Sequence, residues 1–138
     1  MTDAGLLAPV LALVGWTFVL WVWMYATRVP AMQRAEVDVD ALSRTGAPLV
    51  LPPEVARVAD NYNHLHEQPT LFYAVALAGQ IAGATDGLTV GLAWGYVGLR
   101  VVHSLIQATK NPIMIRFGVF ALASFALFGL FLRVALSL

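Results

Sequence analysis

Two kinds of residue are scarce in this sequence: cysteine is absent, and charged residues make up only 12% of the 138 residues. The absence of cysteine excludes disulfides, thiolate metal ligands and a cysteine nucleophile, so any thiol chemistry needs a thiol from another molecule. Charged residues average about 25% in soluble domains, and so few charges could not cover the surface of a small soluble protein. The net charge of +0 argues against a nucleic-acid partner.

Hydrophobic residues, in contrast, account for 59% of the chain and are concentrated in long segments. A bilayer core of about 30 Å is crossed by about 20 apolar residues in a helix. Four candidate segments occupy residues 5–27, 53–83, 87–107 and 112–137. We therefore predict one all-α integral-membrane domain over residues 1–138, with four transmembrane helices. The first segment lacks a preceding basic region and a cleavage pattern, which favours a retained helix over a signal peptide.

The basic residues of the loops predict the orientation of the chain in the membrane. They are Arg28, Arg34, Arg44 and Arg57 around the first loop, and Lys110 and Arg116 around the third. The N-terminus and the 84–87 turn contain neither Lys nor Arg. Because positive charge marks the cytoplasmic loops, we predict that loops one and three are cytoplasmic and that both termini are outside. Arg133, near the outer end of the fourth segment, is the exception.

The second segment begins with a dense polar stretch, NYNHLHEQP (61–69). At 100° per residue, one helical stripe collects Arg57, Asn61, His64 and Gln68, widened by Asp60, Asn63 and Glu67. His66 projects nearly opposite His64, so these two rings cannot ligate one metal from a regular helix. Pro69 has no N–H for the carbonyl of Leu65, so we predict a kink beside the polar stretch.

The third segment carries a matching stripe, which consists of Tyr96, Arg100, His103 and Gln107. Counted outward from the 84–87 turn at about 1.5 Å per residue, His103 is expected level with Glu67, and Gln107 with His64. Ionisable groups at membrane depth usually face a bundle interior or a wet cavity. The two stripes are therefore predicted to meet near the cytoplasmic side, where they form either a ligand site or a structural network between helices.

A metal or haem site is a further interpretation of the same polar residues. Its ligands would be His64, His103, Glu67 and Asp60, because imidazole and carboxylate groups suit first-row metals. No ligand-spacing motif is complete, so we predict no metal site.

Three stretches occur in a distinctive order: NHLHEQPTLFYAVAL (63–77), GLRVVHSLIQ (98–107) and NPIMIRFGVF (111–120). Together with the four predicted helices, they resemble the MAPEG family of membrane-associated proteins in eicosanoid and glutathione metabolism, in particular a bacterial branch. The resemblance covers nearly the whole chain. It implies a left-handed four-helix bundle that forms a homotrimer, here in a bacterial inner membrane.

The resemblance also implies a binding site. The enzymes of the family bind glutathione in a polar pocket between neighbouring subunits, facing the cytosol, where an Arg stabilises the thiolate. On this chain the implied glutathione-binding residues are Arg57, Asn63, Glu67 and His103, and the implied catalytic residues, which stabilise the thiolate, are Arg116 and Arg100. We add His64 to the glutathione-binding set because it lies on the same polar stripe.

The function implied by the resemblance is that of a membrane glutathione transferase or peroxidase acting on a lipophilic electrophile. Glutathione would be its co-substrate, and a guanidinium near the sulfur would lower the pKa of the thiol. The expected partners are membrane lipid, further copies of the chain and a lipophilic small molecule that arrives through the bilayer. The alternative is a non-catalytic lipid-binding or scaffold protein of the same fold, whose grooves hold a lipid or a partner helix.

Overall fold

The computed structural model describes residues 4–138, and over that part of the chain the only regular structure is helical. The helices are α1 (Leu7–Arg34), α2 (Val39–Thr45), α3 (Pro53–His64), α4 (Gln68–Ala82), α5 (Gly87–Ala108) and α6 (Ile113–Ser137). The predicted all-α class is confirmed for the described residues. Residues 1–3 of the predicted domain lie outside them.

Three of these helices, α1, α5 and α6, are long and apolar enough to cross a membrane. They coincide with the first, third and fourth predicted segments. The helix α1 extends past the predicted end at residue 27, continues through Pro30 and ends at Arg34. Helical hydrogen bonds join backbone groups and do not require apolar side chains. The change of composition at Arg28 therefore marks the end of the apolar segment and not the end of the helix.

The second predicted segment, residues 53–83, is divided, whereas we predicted one continuous helix with a kink. The helix α3 ends at His64, α4 begins at Gln68, and residues 65–67 form a turn between them. Pro69 lies in the first turn of α4, where its missing N–H needs no helical partner. With 12 and 15 residues, neither helix alone reaches the roughly 20 residues of a full crossing.

The long first loop contains α2, a short helix that the sequence analysis did not predict. The Asp38 side chain accepts a hydrogen bond from the backbone N–H of Ala41 at 3.1 Å and caps its N-terminus. Gly46, with φ 68°, ends the helix in the left-handed conformation. Asp and Gly are common at these two capping positions, so the signal was present in the sequence.

Close packing joins α4 to its neighbours. Phe72 of α4 stacks on Tyr96 of α5 with ring centroids 4.7 Å apart, and both side chains are fully buried. A Cβ atom at Gly79 would lie 2.8 Å from side-chain atoms of both Leu6 and Val134, so glycine permits this approach of three chain segments. Further buried core residues are Leu13 and Leu20 from α1, Val58 from α3, Ala93 and Val97 from α5, and Leu127 and Leu130 from α6.

Large apolar side chains are exposed along the outward faces of α1 and α6. They include Leu11, Phe18 and Val22 of α1, and Ile115, Leu122, Phe125 and Phe128 of α6. Soluble monomers rarely expose contiguous apolar patches larger than a few hundred Å². Faces of this composition are suited to contact with lipid or with another subunit.

The connection between α4 and α5 is fixed by an ion pair with α6. Asp86 caps α5 by accepting hydrogen bonds from the backbone N–H groups of Leu88 and Thr89, and from the Thr89 hydroxyl at 2.6 Å. The Thr89 hydroxyl is the main cause that lowers the pKa of Asp86 to about 2, and the Thr89 backbone and Arg133 add to it. Arg133 lies 2.7 Å from the same carboxylate. The one Arg that departed from the predicted charge distribution is thus paired with an acidic residue.

Candidate functional site

A cavity of about 490 Å³ lies between α3, α5 and α6. Its lining residues are Asp60, Asn63, His64, Glu67, His103, Gln107, Ile113, Arg116, Phe117 and Phe120. Small-molecule sites typically have volumes of about 300–1,000 Å³. The cavity brings together most of the predicted site residues, but Arg57 and Arg100 do not line it.

The turn between α3 and α4 positions His64 and Glu67 in the cavity wall. Nδ1 of His64 lies 2.9 Å from Oε2 of Glu67. The hydroxyl of Thr70 donates to the Glu67 carbonyl at 2.6 Å and holds the turn in place. Because the Glu67 side chain is 66% exposed, solvent competes for this contact and its strength is modest.

Arg100 of α5 lies directly behind His64 and is fully buried. Its Nη1 is 3.5 Å from Nε2 of His64, and its Nη2 donates to the His64 carbonyl, also at 3.5 Å. Its Cζ lies 5.9 Å from the centre of the Phe120 ring. The guanidinium therefore contacts the cavity wall from the inner side without reaching the cavity.

The register between α3 and α5 differs from the prediction. The ring of His64 lies 5.1 Å from the ring of His103. We predicted that it would be level with Gln107, which is about one helical turn further along α5. The prediction assumed a regular helical rise outward from the 84–87 connection, and the turn at residues 65–67 interrupts that rise.

Arg57, which was predicted to bind a ligand carboxylate, does not line the cavity of this protomer. Its Nη1 donates to the backbone carbonyl of Thr109 at 2.6 Å. Thr109 is the C-cap residue of α5, and the carbonyls at a helix C-terminus lack helical partners and attract cationic side chains. Within this protomer Arg57 joins α3 to the end of α5 and does not contribute to the cavity.

Arg116 enters the cavity wall from the first turn of α6. Its Nη1 donates to Oδ1 of Asn111 at 2.6 Å. Asn111 has φ 54°, in the left-handed region that Asn tolerates better than most residues. A guanidinium has five N–H donors, so the contact with Asn111 leaves Arg116 the capacity to bind an anionic ligand.

The apolar wall that α6 contributes was not predicted. It consists of Ile113, Phe117 and Phe120. These positions recur at helical spacing on the same side as Arg116, but α6 is apolar on all sides, which hides a cavity-facing stripe in the sequence. Two further residues line the cavity: Gln107, which was placed on a polar stripe without a role, and Asp60, which was considered as a metal ligand.

The metal interpretation finds no support in the described part of the chain. Among those residues, no group of three or more His, Asp or Glu side chains is arranged to hold a metal ion. His64 instead bridges Glu67 and Arg100, one on each ring nitrogen. His66 does not line the cavity, and its ring lies 4.7 Å from the ring of Tyr62. It lies in the turn after α3 and not in the regular helix that the sequence analysis assumed.

The helices and polar stretches match one known family. A sequence model of the MAPEG family matches residues 6–136. The chain belongs to the MAPEG family. The match extends from the residue before α1 to the last turn of α6, so the cavity lies entirely within the MAPEG domain. Membership in this family and the three apolar helices identify an integral membrane protein. Comparisons with curated proteins and with solved structures gave no match.

Proposed function

We propose that this MAPEG protein binds glutathione in the cavity between α3, α5 and α6 and uses it as a transferase or peroxidase on a lipophilic electrophile. The observation that carries the proposal is the distribution of charge around the cavity. Asp60 and Glu67 come from α3 and the turn that follows it, whereas Arg116 comes from α6. Glutathione has an ammonium group, two carboxylates and a thiol, so its opposite charges match walls of opposite charge.

Each wall has a role in the proposal. The guanidinium of Arg116 binds an anionic group of glutathione, since Arg forms charge-assisted and often bidentate hydrogen bonds with carboxylates. Glu67 accepts hydrogen bonds from the ammonium group, and Asn63 offers both a donor and an acceptor to the peptide groups. The phenylalanine rings of α6 form the side from which an apolar electrophile arrives.

The chain has no cysteine, so glutathione supplies the reacting sulfur. A cationic group near a thiol lowers the pKa of that thiol and increases the thiolate fraction at neutral pH. In the transferase reaction the thiolate sulfur forms a bond to the electrophilic carbon, and the leaving group departs with the electron pair of the broken bond. The protein residues hold glutathione and stabilise the negative charge on sulfur before attack.

The proposed assembly is a homotrimer of left-handed four-helix bundles, with α3 and α4 together forming the second crossing. The apolar outward faces of α1 and α6 support contacts between subunits within the bilayer. The proposed location is a bacterial inner membrane, with both termini outside. Loops one and three are then cytoplasmic, and the cavity, beside the connection of α5 to α6, takes glutathione from the cytosol.

The test is calorimetric titration of the purified, detergent-solubilised protein with glutathione, followed by conjugation of 1-chloro-2,4-dinitrobenzene. Arg116→Gln should weaken glutathione binding by about 10- to 150-fold, because a hydrogen bond to a charged group contributes about 1.5–3 kcal/mol. The matched control is Arg44→Gln, since Arg44 lies in α2 away from the cavity. Absence of both binding and conjugation in the unaltered protein would contradict the proposal.

A second candidate function, lipid binding without catalysis, is favoured by a groove on the other side of α3. This groove has a volume of about 270 Å³ and is lined by Val14, Thr17, Phe18, Trp21, Tyr62, Leu65, His66 and Tyr73. Its aromatic and aliphatic walls suit an acyl chain. Native mass spectrometry distinguishes the two functions: a lipid that stays bound after delipidation, in a protein with no affinity for glutathione, favours lipid binding.

A further inference from the structure

We propose that His64 is a movable cover over Arg100, and that its rotation away from α5 admits an anionic group of the ligand to the buried guanidinium. His64 then acts as a positioning residue that controls how many cationic groups the cavity offers. The identity of the anion, a thiolate or carboxylate of glutathione, rests on the proposed function. The covering of Arg100 rests on the geometry of this chain alone.

Arg100 is poorly satisfied for a buried cation. It is fully buried, and among the described residues no Asp or Glu forms an ion pair with it. Its hydrogen bonds both go to His64 at 3.5 Å, the long limit for such contacts, and its Nε has no hydrogen-bond partner in the described part of the chain. A buried charge is stable only when it is well paired and hydrogen-bonded, so Arg100 has unused capacity for an anion.

Three rings separate Arg100 from the cavity. His64, His103 and Phe120 all line the cavity, and their ring centroids are 5.1, 5.5 and 5.9 Å apart. Arg100 contacts the inner side of two of them, at Nε2 of His64 and over the face of Phe120. Displacement of one ring is therefore sufficient to join the guanidinium to the cavity.

Among these three residues, His64 is the one that the fold leaves free to move. It is the last residue of α3 and is followed by the turn at residues 65–67. Its side chain is 23% exposed. His103, in contrast, lies within α5 and is only 2% exposed, and Phe120 lies within α6. Rotation of His64 needs no change in a continuous helix.

The contacts of the His64 ring define its tautomer and restrain the ring only weakly. Nδ1 faces the Glu67 carboxylate at 2.9 Å and must carry the proton, which leaves the lone pair of Nε2 to accept from Arg100 at 3.5 Å. The first contact is largely exposed to solvent and the second is long. A ligand carboxylate or thiolate would bring a full negative charge to the guanidinium of Arg100, whereas His64 offers it only neutral acceptors.

The experiment measures access to Arg100 with phenylglyoxal, an arginine-selective reagent, and peptide mass spectrometry of the purified protein in detergent. In the unaltered protein, Arg100 should react at least about tenfold more slowly than Arg44, which is exposed. His64→Ala should raise the rate at Arg100 at least about tenfold. His64→Phe, which keeps a ring in place, should leave that rate low. His66→Ala is the matched control and should leave it unchanged.

The same variants test two hypotheses independently: that His64 covers Arg100, and that the cavity binds glutathione. With His64→Ala, glutathione should associate faster, and bound glutathione should protect Arg100 from phenylglyoxal. If His64→Ala exposes Arg100 while no variant binds glutathione, the cover stands and the proposed function fails. If the protein binds glutathione but Arg100 remains unreactive in glutathione-free His64→Ala, or reacts as fast as Arg44 in the glutathione-free unaltered protein, the cover is overturned and the proposed function stands.

Discussion

Gln68, the first residue of α4, joins three helices through its side-chain amide. Its Nε2 donates to Oγ of Ser124 in α6 at 2.9 Å, and its Oε1 accepts from the hydroxyl of Tyr96 in α5 at 3.2 Å. This arrangement predicts that Gln68 and Tyr96 stabilise the protein as a coupled pair. The perturbation that tests it is a double-mutant cycle of Gln68→Leu and Tyr96→Phe. The phenylalanine retains the ring that stacks on Phe72.

The structure sets the expected magnitudes. Tyr96→Phe removes one hydrogen bond and leaves Oε1 of Gln68 without that donor, which should lower the free energy of unfolding by about 0.5–1.5 kcal/mol. Gln68→Leu removes two hydrogen bonds and leaves the buried Tyr96 hydroxyl unpaired, so about 1–3 kcal/mol is expected. Side-chain hydrogen bonds in a membrane protein have an average coupling energy of about 0.6 kcal/mol and a maximum of about 1.7 kcal/mol. We therefore expect a coupling energy of about 0.6–1.7 kcal/mol between Gln68 and Tyr96.

The assay is reversible unfolding in mixed detergent micelles, followed by circular dichroism for the two single variants, the double variant and the unaltered protein. The matched control replaces Gln68→Leu by Gln80→Leu, because Oε1 of Gln80 accepts from the backbone N–H of Leu6 and not from Tyr96. The control cycle should be additive within about 0.5 kcal/mol. Equal coupling in both cycles, or no coupling between Gln68 and Tyr96, would refute the reasoning.

Three further predictions concern other contacts. Asp86→Asn should remove part of the acid sensitivity of unfolding. The folded pKa of Asp86, about 2, lies below the ordinary 3.8, so the carboxylate stabilises the fold above about pH 3.8 and loses this effect as the pH falls toward 2. An unchanged dependence of the unfolding free energy on pH between about 2 and 6 counts against this prediction. Gly79→Ala should lower the free energy of unfolding by about 1–3 kcal/mol because of overpacking. Gly91→Ala should raise that free energy by up to about 1 kcal/mol, because a Cβ atom there would meet no neighbouring atom within 4 Å. Equal effects of the two substitutions in thermal unfolding would contradict the close approach at Gly79. Arg57→Gln should leave the glutathione affinity within about twofold in calorimetry, because Arg57 binds a backbone carbonyl outside the cavity; a loss equal to that of Arg116→Gln would contradict this placement.

The predicted segments that begin at residues 53 and 87 begin where α3 and α5 begin. Local chemistry marks both starts, since Pro53 suits the first helical position and Asp86 caps α5 with its side chain. The outcome at Pro69 was harder to predict. A proline inside an apolar segment allows either a kink or a complete break, and the choice depends on whether neighbouring groups satisfy the freed backbone atoms.

The candidate site was predictable in composition but not in arrangement. The spacing of polar residues identified His64, Glu67 and His103, which line the cavity. It could not show that Arg57 would bind the end of α5, nor that Arg100 would lie behind three rings. These outcomes depend on the register between α3 and α5, and one turn of displacement exchanges one set of facing side chains for another.

The break between α3 and α4 explains how strongly polar residues can adjoin a fully apolar helix. His64 is the last residue of α3, and Glu67 is the N-cap residue of α4. A helix N-terminus favours negative charge, so the N-terminus of α4 stabilises the Glu67 carboxylate. In one continuous helix Glu67 would lie in the interior, without this terminal effect. The turn at residues 65–67 thus places a hydrogen-bonded His–Glu pair beside the cavity and leaves its histidine able to rotate.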